Sequence, residues 1–403
     1  MSTPGAASSV SPRAYRADID GLRAVSILAV VLFHAGVTRF AGGYVGVDVF
    51  FVISGFLITG LLVKEVESAG RVSMRNFYAR RIRRLLPLSV TVTITTLVLG
   101  LWLLAPVARD ALVGDARAAT LYFANWRFAA QTTAYSDVNV TDSLLVHYWS
   151  LAIEEQFYVL WPLLIVAGLG IARVLRRPVR STLGVLLAAL VALSFTASVV
   201  ITADEGVGAY YLTHTRLWEM GVGAGLALVL TSSPRLPSRA LDALGMLGLG
   251  MIAWAATTFD ARTPFPGSAA LLPVLGCAAV IVAGSQQDGV VSRALAARPF
   301  PFIGRLSYAW YLWHWPAIGI ALLLRGRYWP DTNEHVITAA AVVVSFGLAW
   351  GSHIAIEDPM RHASLLRRRL RPTSRWGWSA PPSHWSSAPP FWPTSTGATR
   401  RCR

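Results

Sequence analysis

Ile19-Asp20-Gly21-Leu22-Arg23-Ala24 opens an apolar run with no further charge before His34. After eight residues comes Gly43-Tyr44-Val45-Gly46-Val47-Asp48-Val49-Phe50-Phe51-Val52-Ile53-Ser54-Gly55-Phe56-Leu57-Ile58. A bilayer core takes about 20 apolar residues of helix. The stretch therefore reads as two spanning helices joined by a short, glycine-rich turn, each carrying an ionisable group at a depth where charge is costly. The same reading extends outward to ten segments, near 22–38, 44–63, 85–105, 149–170, 183–203, 212–232, 240–257, 268–284, 304–324 and 336–356.

Composition agrees. Of 403 residues, 54% are apolar and 14% charged, and mean hydropathy is +0.50. Soluble domains carry about 25% charged residues. An ordinary cytosolic protein, a disordered chain, a collagen and a coiled coil are all excluded. The expected fold is all-α: a polytopic membrane helix bundle of about ten transmembrane helices.

The net charge is +15, and Lys64 is the single lysine among 36 basic residues. A high pI can signal nucleic-acid binding, but here the arginines form short clusters between apolar runs rather than one stripe. No nucleic-acid partner is expected. With residues at span ends counted in the nearer loop, one set of alternate loops holds 24 basic residues as far as Arg371. The other set holds 8. By the positive-inside rule both termini face the cytoplasm, N-in and C-in, in the inner (plasma) membrane. The outer loop at 106–148 is too polar to span, with Leu121 to Phe128 suited to the interface.

Three regions follow: a flexible N-terminus at 1–15, a membrane domain at 16–365, and a basic, Pro/Ser/Trp-rich tail at 366–403. The first span lacks a small-residue cleavage site and reads as retained. The tail reads as disordered or as a frame-shifted end. Cys277 and Cys402 form neither a disulfide framework nor a metal site, and no metal is expected.

Polar residues inside spans are the guide to chemistry. Arg23 and His34 are eleven residues apart, three turns plus about 20°, so they share one helix face about 16 Å apart along the axis. An arginine at a mouth with an imidazole further down suits an anionic donor and proton transfer. A snorkelling arginine and a histidine bonded to a neighbouring helix is the other reading. Asp48 reads either as the partner of a group such as His34 or as a helix-terminal carboxylate facing water.

Arg80, Arg83 and Arg84 recur at i, i+3 and i+4 beside Arg81, on one helix face. They read as a phosphate-binding patch or as topology signals. His147-Tyr148-Trp149-Ser150-Leu151-Ala152-Ile153-Glu154-Glu155-Gln156-Phe157-Tyr158 places Ser150, Glu154 and Phe157 on one stripe. A pocket carboxylate such as Glu154 orients an imidazole. Tyr210, His214, Arg216 and Glu219 add polar groups to a later span. Ser307, Tyr311 and His314 lie near one face of a very aromatic helix, suited to a sugar ring or a lipid carbonyl, or else to interfacial anchoring.

Taken together and in this order, these pieces resemble the integral-membrane acyltransferase-3 family, which includes bacterial O-antigen and peptidoglycan O-acetylases. The resemblance covers about residues 15–365, from Ile19-Asp20-Gly21-Leu22-Arg23 to Glu357-Asp358-Pro359. It implies an O-acyltransferase that moves an acyl group, by default acetyl, from acyl-CoA to a hydroxyl of a cell-envelope carbohydrate or glycolipid. His34 is then the catalytic base or relay, supported by Glu154. Arg23 stands at the donor entrance, and Arg80, Arg81, Arg83 and Arg84 grip the CoA phosphates. Asp48, Ser150, Ser307, Tyr311 and His314 line the acceptor side or the pocket. The implied co-substrate is acyl-CoA (acetyl-CoA), with no permanently bound cofactor; the implied surroundings are the lipid bilayer. Many relatives continue into an outer hydrolase-like domain with a Ser/His/Asp triad. This chain shows no eleventh apolar run, so a separate acceptor-side transferase is an expected partner. The competing classes are a transmembrane acyl or glycolipid transporter and an inactive truncated copy.

Overall fold

The computed structural model describes residues 15–134, 143–230, 236–286 and 289–362. The tail expected at 366–403 and the N-terminal residues 1–14 lie outside them. Among the described residues there are helices and no strand. In chain order they are α1 (Ala17–His34), α2 (Gly46–Ala69), α3 (Met74–Leu103), α4 (Pro106–Thr120), α5 (Ala124–Ala134), α6 (Tyr148–Val174), α7 (Val179–Glu205), α8 (Leu217–Val229), α9 (Ser238–Thr258), α10 (Leu271–Ala283), α11 (Val290–Leu295), α12 (Pro299–Tyr328), α13 (Glu334–Ser352) and α14 (Asp358–His362). Each of the ten expected segments coincides largely with one of these helices.

Among the described residues, six helices are long and apolar enough to cross a membrane: α2, α3, α6, α7, α9 and the one that begins with α13. The helices α8 and α10 are apolar but shorter. Two others are polar for a reason that matters below: α1 carries Asp18, Asp20, Arg23 and His34, and α12 carries Arg305, His314, Arg325 and Arg327 along with its aromatics. Backbone hydrogen bonds cannot be left open in hydrocarbon, and a helix closes them within the segment. Prolines 87, 162 and 316 lie inside α3, α6 and α12, as neighbouring helices permit in membranes.

The chief packing partners are α1 with α12, α2 with α8, α9 with α10, and α12 with α13. Between lipid-facing helices there is no hydrophobic drive, so close approach through small residues carries much of the association. A Cβ at Gly304 of α12 would lie 1.8 Å from the Asp20 carbonyl oxygen of α1. One at Gly223 of α8 would lie 1.9 Å from the Val52 carbonyl oxygen of α2. These helices touch backbone to backbone, which holds α1, α2, α8 and α12 in one register. One apolar core gathers Phe51, Leu88, Phe157 and Trp161 between α2, α3 and α6; the other gathers Leu22, Val49, Ile252 and Val274 between α1, α2, α9 and α10.

The polar stretch after α3 folds back as α4 and α5. Leu121, Phe123 and Trp126 face outward, as an interfacial segment would. Asn125 and Phe128, however, are fully buried. Asn125 bonds the Tyr211 carbonyl at 3.0 Å and the Thr213 hydroxyl at 2.9 Å, and Gln156 of α6 donates to its side-chain oxygen at 2.9 Å. The segment is thus two-sided, pinned into the bundle rather than only resting on its rim.

Gly223→Val is expected to lower stability by about 1–3 kcal/mol through overpacking, whereas Gly347→Val, where a Cβ meets open space, is expected to be near neutral. Thermal midpoints of the two purified variants in detergent check this.

Candidate active site

Four helices, α2, α3, α6 and α12, with Arg23 of α1, enclose a cavity of about 330 Å³. Val47 and Leu61 both line it. They are fourteen residues apart on α2, about 21 Å along the axis, against a hydrocarbon core of about 30 Å. The cavity is therefore a long slot running along the helices.

One end of the slot is cationic: Arg23, Arg81 and Arg84 line it. The Arg81 guanidinium lies flat on the Tyr158 ring, 3.4 Å from its centre, and 3.9 Å from Glu155. Arg23 bonds Asp20 one turn earlier at 3.2 Å. The Nε atoms of Arg81, Arg83 and Arg84 are buried with no hydrogen-bond partner. Those of Arg81 and Arg84 border the slot, where a guanidinium is suited to meet an anion. Arg80 points elsewhere: its side chain is 53% exposed and lies 3.7 Å from Glu65. Arg83 does not line the slot. The helix face that meets the cavity is Arg81, Arg84 and Leu85, one residue round from the face expected from 80, 83 and 84. The cause is that α3 turns its 81/84 edge toward α6, where Tyr158 holds Arg81.

The middle of the slot carries Ser54, Glu154, Tyr158 and Ser307. Glu154 accepts a 2.5 Å hydrogen bond from Ser54. The expected bond between Glu154 and His34 is not present; the partners of these two groups lie at different depths. Ser150, Glu154 and Tyr158 follow at i, i+4 and i+8 on α6, so the stripe facing the slot ends on Tyr158 rather than Phe157, which is packed in the core. Ser307 Oγ is fully buried and unpartnered.

The far end is closed by Ser150 and Tyr311, whose hydroxyls are 2.6 Å apart. Tyr311 donates to the His147 carbonyl at 3.0 Å. Just beyond this layer lie the imidazoles. His314 is fully buried, and its Nε2 is 3.1 Å from Nδ1 of the half-buried His34. His147 lies 5.6 Å from His314 ring to ring. Its Nε2 donates to the Leu312 carbonyl at 3.1 Å.

Asp48 is not beside His34 and does not line the slot. It is fully buried and bonds Arg216 at 3.1 Å, and Arg216 in turn meets Glu219 at 2.8 Å. The rings of Phe51, Trp149, Tyr210 and Phe265 surround the guanidinium at 5.2–5.6 Å. Asp48 and Arg216 are 168 residues apart. No spacing rule connects them, and only the cost of two lone buried charges predicts that such a pair exists. Ser54, His147 and Tyr158 carry no spacing signal of a role comparable to that of Arg23 with His34. For Tyr158 the spacing from Ser150 and Glu154 was the available signal.

Among the described residues no group of His, Cys, Asp and Glu is arranged to hold a metal. The bundle thus encloses a long slot with guanidiniums at one end and imidazoles past the other. The chain belongs to the family described as an acyltransferase domain (Acyl_transf_3), which matches residues 16–354. It is 34% identical to YrhL of Bacillus subtilis (strain 168) over 360 residues. It is 32% identical to the peptidoglycan O-acetyltransferase OatA of Listeria monocytogenes, and 31% to the O-acetyltransferase OatA of Staphylococcus aureus (strain NCTC 8325 / PS 47). These alignments cover 86–88% of this chain and 55–58% of the relatives, so the chain spans a little over half their length. No solved structure matches it.

Arg216→Met is expected to destabilise by about 3–5 kcal/mol, since it strands two buried carboxylates. Asp48→Asn should cost less, because Glu219 still pairs the guanidinium. Thermal unfolding of the purified variants orders the two.

Proposed function

We propose that this chain is a multi-pass O-acyltransferase of the inner (plasma) membrane, which moves acetyl from acetyl-CoA to a hydroxyl of a cell-envelope carbohydrate. Ten helices cross the bilayer, both termini face the cytoplasm, and the cationic end of the slot opens inward. The observation that carries the reading is the slot itself: about 21 Å long, with Arg23, Arg81 and Arg84 at one end and the His34–His314 pair one side-chain layer past the other. The names of the relatives favour peptidoglycan as acceptor.

In this reading the CoA phosphates rest on the guanidiniums, and the thioester arm lies along Leu57, Ile58 and Leu85. Tyr158 and Glu155 hold Arg81 in place before substrate arrives, so less side-chain freedom is lost on binding. At the far end His34 takes the proton of the acceptor hydroxyl as its oxygen bonds to the thioester carbonyl carbon. The tetrahedral centre then collapses, the C–S bond breaks, and the thiolate takes that proton. An ester and free CoA result. Groups able to donate hydrogen bonds to a developing oxyanion, the hydroxyls of Ser150 and Tyr311, lie at that end. Glu154 and Ser54 line the path midway rather than the reacting end.

His34→Ala is expected to abolish acetyl-CoA-dependent ester formation on peptidoglycan fragments by the full chain in proteoliposomes, with the protein still inserted. Retained turnover would remove His34 from the chemistry. Arg81→Gln and Arg84→Gln are each expected to raise KM for acetyl-CoA about tenfold or more with little change in kcat, as loss of one charge-assisted phosphate contact predicts. Arg80→Gln, outside the slot, should leave KM near the wild-type value.

A further inference from the structure

A base needs one bare nitrogen aimed at its substrate, and a neutral imidazole has two candidates. The structure decides between them through a chain of obligations. His314 Nδ1 is 2.7 Å from the Tyr311 carbonyl and 3.2 Å from the Trp310 carbonyl. Carbonyl oxygens only accept, so Nδ1 of His314 carries the proton. In the neutral ring its Nε2 is then bare, and this atom faces His34 Nδ1 at 3.1 Å. Two bare nitrogens would repel, so His34 Nδ1 carries the proton. His34 Nε2 is thereby left as the lone-pair nitrogen.

We infer that His314 is the positioning residue that fixes His34 in the Nδ1–H tautomer and steadies the imidazolium formed during acyl transfer; this rests on the acyltransferase reading above. In water-filled catalytic sites a carboxylate commonly orients the histidine. Here a neutral imidazole does so, anchored by the carbonyls of its own helix turn. The pair itself carries no permanent charge, and charge appears on it only while the proton is on His34. Once His34 Nε2 has taken the hydroxyl proton, the Nδ1–H bond to His314 strengthens as a charge-assisted one. When Nε2 returns the proton to the CoA thiolate, the pair is neutral again, and His314 has gained and lost nothing. The other imidazole near the pair is His147, whose bonded nitrogen is committed to the Leu312 carbonyl. It supplies no competing bond to His34.

The test compares His314→Ala, His314→Gln and His34→Ala in the full chain, in proteoliposomes with acetyl-CoA as donor and peptidoglycan fragments as acceptor. Gln places an amide oxygen near the position of Nε2, able to accept from His34 Nδ1. His314→Ala is expected to lose about 10- to 100-fold in kcat, the cost typical of an orienting partner, with KM for acetyl-CoA unchanged. His314→Gln should regain most of that loss. On a His34→Ala background, His314→Ala should add no further loss. Nitrogen-15 NMR of histidine-labelled protein reads the tautomer without turnover: Nδ1–H at His34 in the wild type, a mixture in His314→Ala. Full turnover with an unchanged tautomer in His314→Ala overturns the inference, as does an equal loss in the Ala and Gln variants when both insert and fold. If the wild type transfers no acetyl yet its His34 tautomer depends on His314, the positioning role stands and the acyltransferase reading falls.

Discussion

Charge in hydrocarbon is the constraint on which the other features depend. An unpaired ion there costs several kcal/mol even after relaxation, which favours ionisable side chains that find a partner or border a cavity. Asp48, Arg216 and Glu219 answer with one another, fully buried between α2 and α8. Glu154 answers with Ser54. His34 and His314 answer by staying neutral and sharing a hydrogen bond. Arg84 answers by bordering the slot, with its Nε unpartnered. Sorted in this way, the polar residues separate into those that hold the bundle together and those left to meet a substrate.

That sorting depends on helices that cannot slide. Gly304 against Asp20 and Gly223 against Val52 bring backbones into contact, and packed interfaces of this kind are not continuously deformable. The consequence reaches the chemistry. Arg23 and His34 belong to one helix, and their separation of about 16 Å is set by helix rise alone. With α1 fixed against α12 at one end by Gly304 and at the other by the His34–His314 bond, the cationic end and the imidazole keep a constant distance. In the proposed reaction, an elongated donor with its anionic head on the guanidiniums would present its reactive carbon at a depth decided by its own length.

Much of this was legible in the amino-acid order, for reasons that mark the limit as well. Apolar runs of spanning length disclose helices, because bilayer thickness is a ruler; all ten segments coincide with helices. The pair Arg23 and His34 was legible, since both lie on one helix. So were Ser150 with Glu154, and Ser307 with Tyr311, all of which line the slot. What stayed hidden is rotation and distant pairing. Spacing groups Arg80, Arg83 and Arg84, but which edge of α3 faces inward depends on Tyr158, in another helix. Asp48 looked for a neighbour and found Arg216 across the bundle. Glu154 was assigned to His34 because a carboxylate beside an imidazole is familiar chemistry, yet depth along two different helices keeps them apart. The amphipathic stretch at Leu121 to Phe128 showed its apolar outer side in the sequence, while the inward hydrogen bonds of Asn125 needed the fold.

The layer formed by Ser150 and Tyr311 is where the two halves of the proposed reaction meet. A slot open straight through to His34 would let water and protons pass between compartments, and would expose a thioester to hydrolysis. Two hydroxyls 2.6 Å apart close that path at rest with groups that can break their mutual bond and remake it to a carbonyl oxygen at little net cost, since one hydrogen bond replaces another. An apolar plug at that position would have to move away for the reaction to occur. A charged one would need a counter-charge beside it at rest. Hydroxyls are the side chains that can seal, yield and then stabilise developing charge without leaving their places, which is why polar but uncharged residues occupy the one position where donor and base come together.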